Sequence, residues 1–231
     1  MEQYLQSGLA AMGLPADGIP ALCRYGELLL ETNKVMNLTA ITEPRDVAAL
    51  HFLDSAALLT LEDFNGKSVV DVGTGAGFPG LPLRILEPTI RLTLLDSLGK
   101  RVQFLESVCR ELGLTDVSCI HSRAEEFAGA HRESYDLAVS RAVAALPVLC
   151  ELCLPLVRPG GKFLAMKSVE SDQELASAGH AIATLGGAVA AVRDYVIPGT
   201  QVQHRLIIVE KAKKTPEKYP RMFAKIKKNP L

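Results

Sequence analysis

Tryptophan is missing altogether, and aromatic residues make up only 5% of this 231-residue chain. A protein that reads nucleobases mainly by stacking them on rings needs more. Any nucleic-acid contact is therefore expected to run through charge. No apolar run approaches the roughly 18 residues of a membrane-crossing helix, and no basic-then-apolar leader opens the chain. A cytoplasmic protein is expected, with no membrane partner and as a monomer. The five cysteines (Cys23, Cys109, Cys119, Cys150, Cys153) are odd in number, and only Cys150 and Cys153 have C-x-x-C spacing. Neither Cys nor His lies near that pair to complete a zinc site, and the segment reads as apolar helix. Core packing is expected there, and no metal site.

What is present describes a globular domain. Hydrophobic residues make up 48% and charged residues 22%, enough for a sizeable core under an ordinary surface. The net charge of -1 is unevenly placed. From Lys211 to Leu231 eight Lys/Arg face one acid, Glu217, so this segment is strongly basic and the rest of the chain acidic. Such a tail suits a polyanion, and equally suits a solvated terminus.

Periodicity divides the chain. Leu22, Tyr25, Leu28 and Leu29, then Leu50, Leu53, Ala57 and Leu58, repeat at helical spacing. Asn65-Gly66 is a turn signal that predicts the end of an N-terminal helical region, 1–65. Beyond it, a short β-branched run predicts a buried strand at 68–72, and further strands are predicted at 91–96, 117–121, 135–140 and 162–166. Helices are predicted at 80–87, 100–112, 146–157 and 172–185, the third stopped by a turn at Pro159-Gly160-Gly161 and the last with Asp172 as a possible cap. Alternating strands and helices mean βαβ units and a parallel sheet. Two final strands, 188–196 and 205–210, have no helix between them and predict an antiparallel closing pair. The expected fold is α/β, a doubly wound, mostly parallel seven-stranded sheet (Rossmann-like) over 66–211, followed by a basic tail at 212–231.

The stretch from Val69 to Gly80 carries the chemistry. Gly73, Gly75 and Gly77 follow a strand and open a helix. Glycines there tolerate positive φ and let backbone N–H groups approach a ligand, and the helix N-terminus favours a negative group. A nucleotide phosphate suits such a site, and so does the carboxylate of a methionine moiety. The bare spacing is weak evidence. Asp71, inside the strand, makes more sense near an ammonium and sulfonium than near a pyrophosphate. Asp96, 19 residues past Gly77, is placed to accept hydrogen bonds from ribose hydroxyls. NAD and S-adenosylmethionine both carry that ribose, and Asp96 is also read as a helix cap before Ser97-Leu98.

Further residues fall on the same rim. Ala124 and Glu125, after the third strand, are placed to read an adenine edge, though Glu125 and Glu126 also read as solvated helix acids. Arg141 ends the fourth strand, where donor and acceptor should meet. It is read as a clamp on a carboxylate or phosphate, or as one half of a salt bridge. Lys167 ends the fifth strand. No Asn-Pro-Pro-aromatic or Asp-Pro-Pro-aromatic sequence occurs, so the pocket for methylating an exocyclic amine is missing, and no Pro-Cys pair supplies a pyrimidine-attacking thiol. Guanine N7 has an in-plane lone pair and no proton to lose, so alignment and electrostatics suffice for it. The pattern permits that acceptor without selecting it.

Five stretches carry a family resemblance: Asn37-Leu38-Thr39-Ala40-Ile41; His51-Phe52-Leu53-Asp54-Ser55; the glycine loop ending Gly77-Phe78-Pro79-Gly80; Asp96-Ser97-Leu98-Gly99-Lys100-Arg101; and Ser140-Arg141-Ala142. His204-Arg205 and Tyr219-Pro220-Arg221 also fit. From about residue 30 onward the chain resembles the RsmG (GidB) family of bacterial 16S ribosomal RNA guanine-N7 methyltransferases. The resemblance implies S-adenosylmethionine as cofactor, contacted by Gly73, Phe78, Ala124, Glu125 and Arg141, with Asp96 at the ribose. Asp71, Gly75, Gly77, Ser97 and Leu98 join the expected donor set, and Arg141 is the expected catalytic residue. The expected partner is 16S ribosomal RNA in the small ribosomal subunit, met by Lys100, Arg101, His51 and Lys167. Lys100 and Arg101 open a helix, where the dipole disfavours cations, which supports a ligand role. His51 and Asp54 are also spaced to pair with each other. Ser168 stands after Lys167 where the family pattern leads one to expect glycine. The alternatives are an NAD-dependent oxidoreductase and a non-catalytic RNA-binding ribosome assembly factor.

Overall fold

The computed structural model describes residues 1–141 and 144–231. Ala142, the last residue of the Ser140-Arg141-Ala142 stretch, lies outside the described residues. The chain opens with helices α1 (Glu2–Ala11) and α2 (Ile19–Asn33). A second helical run follows: α3 (Pro44–Val47), a π-helical turn (Ala48–Leu53), α4 (Asp54–Ala56) and α5 (Leu58–Leu61). Then come β1 (Ser68–Val72), α6 (Gly80–Leu86), β2 (Arg91–Asp96), α7 (Gly99–Glu111), β3 (Val117–His121), α8 (Ala124–Ala130) and β4 (Tyr135–Arg141). The chain ends with α9 (Leu146–Cys153), β5 (Val157–Ser168), α10 (Asp172–Thr184), β6 (Gly187–Val196), β7 (Gln203–Lys211) and α11 (Phe223–Lys228).

The seven strands form one sheet in the order β3-β2-β1-β4-β5-β7-β6. β1 pairs in parallel with both β2 and β4, and β5 with β4, while β7 runs antiparallel to both β5 and β6. The strand order reverses between β1 and β4, and ligands bind beyond the carboxyl ends of strands at such a switch. Both faces are covered, and alternation along each strand divides the core in two. Val69, Leu94, Val139 and Leu164 face one cluster, which also holds Leu22, Tyr25, Phe52 and Leu53 of the N-terminal helices. Val70, Leu95, Ala138 and Phe163 face the other, beneath α8, α9, α10 and α11. The helices before Asn65-Gly66 thus share a core with the sheet and bring their side chains over the ends of β1 and β4.

Several sequence expectations are corrected. The helix at 146–157 ends at Cys153 and passes through a 3₁₀ turn, Leu154–Leu156, because Pro155 has no N–H to continue it. Pro159-Gly160-Gly161 lies inside β5, where the pairing with β4 slips between Tyr135 and Leu137. Asp172 is no cap. Ser171 holds the cap position of α10, and Asp172 pairs with Arg205 at 2.6 Å. The tail is not frayed. Lys211 is fully buried, donating to the Val157 carbonyl at 3.0 Å and to Thr215 Oγ1 at 2.8 Å, and Ile226 is buried beneath α9.

Candidate active site

The glycine loop leaves β1 at the switch point. Gly73, Gly75 and Gly77 have φ values of 72°, 61° and 104°, the left-handed region that glycine enters without strain. Asp71 braces the turn from below. Its Oδ2 accepts from Thr74 Oγ1 at 2.7 Å and from the Gly80 N–H at 2.8 Å, joining the start of the loop to the start of α6. Burial raises its pKa to about 6, and its Oδ1 has no partner among the described residues. From above, the Tyr25 hydroxyl donates to the Ala76 carbonyl. A Cβ on Gly77 would meet that hydroxyl, and would lie 2.8 Å from Leu81 and 2.9 Å from Leu105.

Asp96 meets the loop from the end of β2. Its Oδ2 accepts from the Gly75 N–H at 2.9 Å and its Oδ1 from the Leu98 N–H at 2.9 Å. Among the described residues, these bonds leave two acceptor positions of the carboxylate for a ligand. Arg101 stands 3.5 Å away. Around this carboxylate open two connected lobes that share Gly73, Asp96 and Ser97. One, of about 410 Å³, is bordered by Gly75, Phe78, His51, Arg101 and Arg141. The other, of about 160 Å³, is bordered by Ala124, Glu125, Leu152 and Phe223.

Arg141 ends β4 in a network. It donates to the Leu50 carbonyl at 2.9 Å, to Asp54 Oδ2 at 3.1 Å and to His51 Nδ1 at 2.9 Å. Its guanidinium lies 5.0 Å from the centre of the Phe78 ring, which stacks on His51 at 4.3 Å. Arginine only donates, so His51 Nδ1 is the acceptor and Nε2 carries the proton toward Thr39 Oγ1, 2.8 Å away. Burial and the adjacent Arg141 charge push the His51 pKa down to about 3, so the ring is neutral. Asp54 is fully buried. Burial opposes its charge, but the bond from His204 and the nearby Arg141 outweigh it and hold the carboxyl below its ordinary value. Both residues lie in or beside the π-helical turn, an irregularity common at functional sites.

The expected site residues divide accordingly. Gly73, Gly75, Phe78, Asp96, Ser97, Ala124, Glu125 and Arg141 border the lobes. Three others do not. Asp71 is sealed beneath the loop, Gly77 packs against Tyr25 and the core, and the Leu98 side chain projects to solvent. Of the residues expected to face RNA, Lys100 is exposed and Arg101 borders the larger lobe. His51 is buried, and its spacing partner Asp54 turns to Arg141, Tyr195 and His204 instead. Lys167 is tied to Glu174 and to the Ala144 carbonyl, each at 2.6 Å.

Sequence reasoning missed Phe223. The tail returns across α9, where Arg221 forms a forked pair with the buried Glu151 at 2.6–3.2 Å. This sets Phe223 in the wall of the smaller lobe, its N–H 3.3 Å from Glu125 Oε1 and its ring 5.6 Å from the Arg123 guanidinium. The available signal was an apolar pair, Met222-Phe223, inside a basic segment.

Comparison with known proteins places the chain in a family. The family model described as rRNA small subunit methyltransferase G matches residues 19–203. A protein of that name from Alkaliphilus metalliredigens is 45% identical over 235 residues, spanning all of this chain and 98% of its own length. A Staphylococcus epidermidis protein of the same name is 49% identical over 210 residues, 90% of this chain and 88% of its own. Among solved structures, M. jannaschii TYW2 in complex with AdoMet aligns with a TM-score of 0.56 at 12% identity, covering 68% of this chain and 74% of that one, a likeness of fold alone. By its family match and its relatives, the chain belongs to the GidB family, the rRNA small subunit methyltransferases G.

Proposed function

We propose that this chain transfers the methyl group of S-adenosylmethionine to N7 of a guanine in 16S rRNA, the family target guanine 527, within the small ribosomal subunit. One observation carries the reading: the glycine loop and Asp96 converge on a single cleft bordered by Arg141. Family membership supplies the reaction class, rRNA methylation with S-adenosylmethionine as donor.

The residues fit that donor. A methionine moiety has bare backbone at Gly73 and Gly75, and a ribose has the free acceptor positions of Asp96. An adenine has the smaller lobe, beside Ala124 and Glu125. Phe78 and Ser97 would flank the donor, while Asp71 and Gly77 act on it only by shaping the loop. The donor brings an electrophilic methyl on a sulfonium. Arg141, held by Asp54 and His51, fixes the wall between donor and acceptor and serves as the catalytic positioning group. His51 is neutral and committed at both nitrogens, so it brings no second positive charge toward the sulfonium. Guanine N7 loses no proton on methylation and needs orientation more than a base.

Lys100, Arg101 and the exposed lysines of the tail support an RNA-facing role, and His51 and Lys167 support the acceptor side from within. Residues 1–65 act as a substrate-facing helical region, 66–211 as the donor-binding domain and 212–231 as the basic tail. The protein works as a monomer in the cytoplasm. The oxidoreductase alternative shares only the loop and Asp96 with this reading. Mapping N7-methylguanine in 16S rRNA from cells with and without the protein tests the proposal. Loss of one modified guanine is expected, and an unchanged map overturns it. Calorimetry is expected to show binding of S-adenosylmethionine and none of NADH.

A further inference from the structure

A further cavity, of about 560 Å³, adjoins the donor cleft at Arg141 and His51. Arg141 and His51 border both spaces. The cavity lies at the carboxyl ends of β4 and β5, beside Arg141 and Lys167, where an acceptor approaches a donor held at the switch point. Its walls are largely apolar, with Leu50, Met166 and Val202 among them, and polar groups are set at intervals between. This composition suits a flat heterocycle with polar edges.

The charges argue against a phosphate. Arg141 is matched by Asp54 at 3.1 Å and Lys167 by Glu174 at 2.6 Å. A phosphate entering here would meet cations already neutralised and apolar side chains. His204 is placed differently. Its Nδ1 is held by Asp54 Oδ1 at 2.8 Å, and that carboxylate also accepts from the Tyr195 hydroxyl at 2.8 Å and from Arg141. The ring is thereby fixed on a fully buried anchor while remaining part-exposed. No described residue bonds its Nε2, and His204 borders the cavity. The bond to Asp54 also raises its pKa above the ordinary histidine value.

Methylation at N7 requires the base to be gripped away from its N7 edge. The remaining polar edge of guanine offers N1–H and N2–H donors and the O6 acceptor. Enzymes that modify a base inside folded RNA hold it extruded, by that edge and by its faces. We infer that this cavity receives the extruded target guanine and that His204, oriented by Asp54, is a positioning residue that grips the guanine's Watson–Crick edge and turns N7 toward the donor cleft. The inference rests on guanine N7 as the acceptor.

The test uses the full chain, small ribosomal subunits from cells lacking the methylation, and radiolabelled S-adenosylmethionine. His204→Asn keeps an amide donor for Asp54 and loses reach into the cavity. His204→Gln returns an amide near the former Nε2. Donor affinity by calorimetry is expected within about twofold of wild type for both, because His204 does not border the donor cleft. His204→Asn should lower kcat by about 100-fold, the scale of a misplaced reactant, with KM for subunits little changed. His204→Gln should recover about tenfold of that loss. Val202→Trp, at the half-exposed rim, narrows the cavity without touching the network and should also lower kcat. Wild-type kcat in folded His204→Asn or in Val202→Trp overturns the site. Donor affinity lost in both His204 variants also overturns it, because the residue would then act on the donor side. If the wild-type protein yields no N7-methylguanine, the proposed function fails and this site with it.

Discussion

Asp71 and Asp96 are two carboxylates at the ends of neighbouring strands, and the fold gives them opposite work. Asp96 keeps free acceptor positions facing the cleft. Asp96→Ala should weaken binding of S-adenosylmethionine by about 1.5–3 kcal/mol, the scale of hydrogen bonds to a charged acceptor. Calorimetry checks this, and unchanged affinity would remove Asp96 from the donor site. Asp71 is sealed, and its value lies in two loop hydrogen bonds. Asp71→Asn can keep both through its carbonyl oxygen, whereas Asp71→Ala leaves the Gly80 N–H and the Thr74 hydroxyl without an acceptor. The raised pKa of Asp71 has a definite sign. Between the ordinary carboxyl value and about 6, the folded protein holds a proton that the unfolded chain has released. Stability contributed by this group therefore falls as pH rises through that window. Urea unfolding from pH 4 to 7 should show the fall in wild type relative to Asp71→Asn. Parallel curves would mean that Asp71 titrates normally.

Among the elements, the C-terminal segment differs most from its sequence reading. Eight cations in 21 residues suit contact with a polyanion and a solvated terminus equally. Burial of Lys211 and the Arg221–Glu151 fork instead anchor the segment, so that Phe223 closes the smaller lobe of the cleft. Phe223→Ala should weaken donor binding by about 1–3 kcal/mol, as for truncation of a partly buried ring beside a ligand. The same change should leave the salt dependence of RNA binding as it was. Fluorescence titration with S-adenosylhomocysteine measures the first effect, and undiminished affinity would make Phe223 only a lid on solvent. The segment was illegible because α11 has six residues, too few for a periodic pattern, and its anchor, Glu151, lies 70 positions away. α8, with seven residues, was legible only as a helix holding Glu125 and Glu126, its bounds hidden for the same reason. β1, β2, β4 and β7 were legible because buried apolar runs of strand length have few other uses, whereas β3 and β6, which bury no residue, were legible from their place beside those elements. Asp96 and Arg141, which border the cleft at the ends of β2 and β4, were legible with them. Pro159-Gly160-Gly161 misled because a turn signal can sit inside a long strand wherever the pairing slips.

At the scale of the whole molecule, topology brings the sites together, and charge is expected to draw in the rRNA. The reversal between β1 and β4 sets the glycine loop, Asp96 and Arg141 around one opening, and the N-terminal helices place His51 and Asp54 against it. The link between His51, Asp54 and Arg141 joins residues some 90 positions apart, so spacing along the chain suggested only a local pair. Neutralising that network locally leaves long-range attraction to other groups. Lys213, Lys214, Lys218, Lys225, Lys227 and Lys228 remain exposed on a body that is otherwise acidic. Each lysine that sits on a phosphate contributes about 0.7–0.9 to the slope of log affinity against log salt. Replacing these six by glutamine should flatten that slope in binding to small ribosomal subunits, and should leave donor affinity unchanged because Arg221 and Phe223 are untouched. Deleting 212–231 should remove both properties, since it takes away the cations and the cleft wall together. An undiminished slope in the glutamine variant would make the tail a structural clasp on α9 and leave RNA attraction to Lys100 and Arg101.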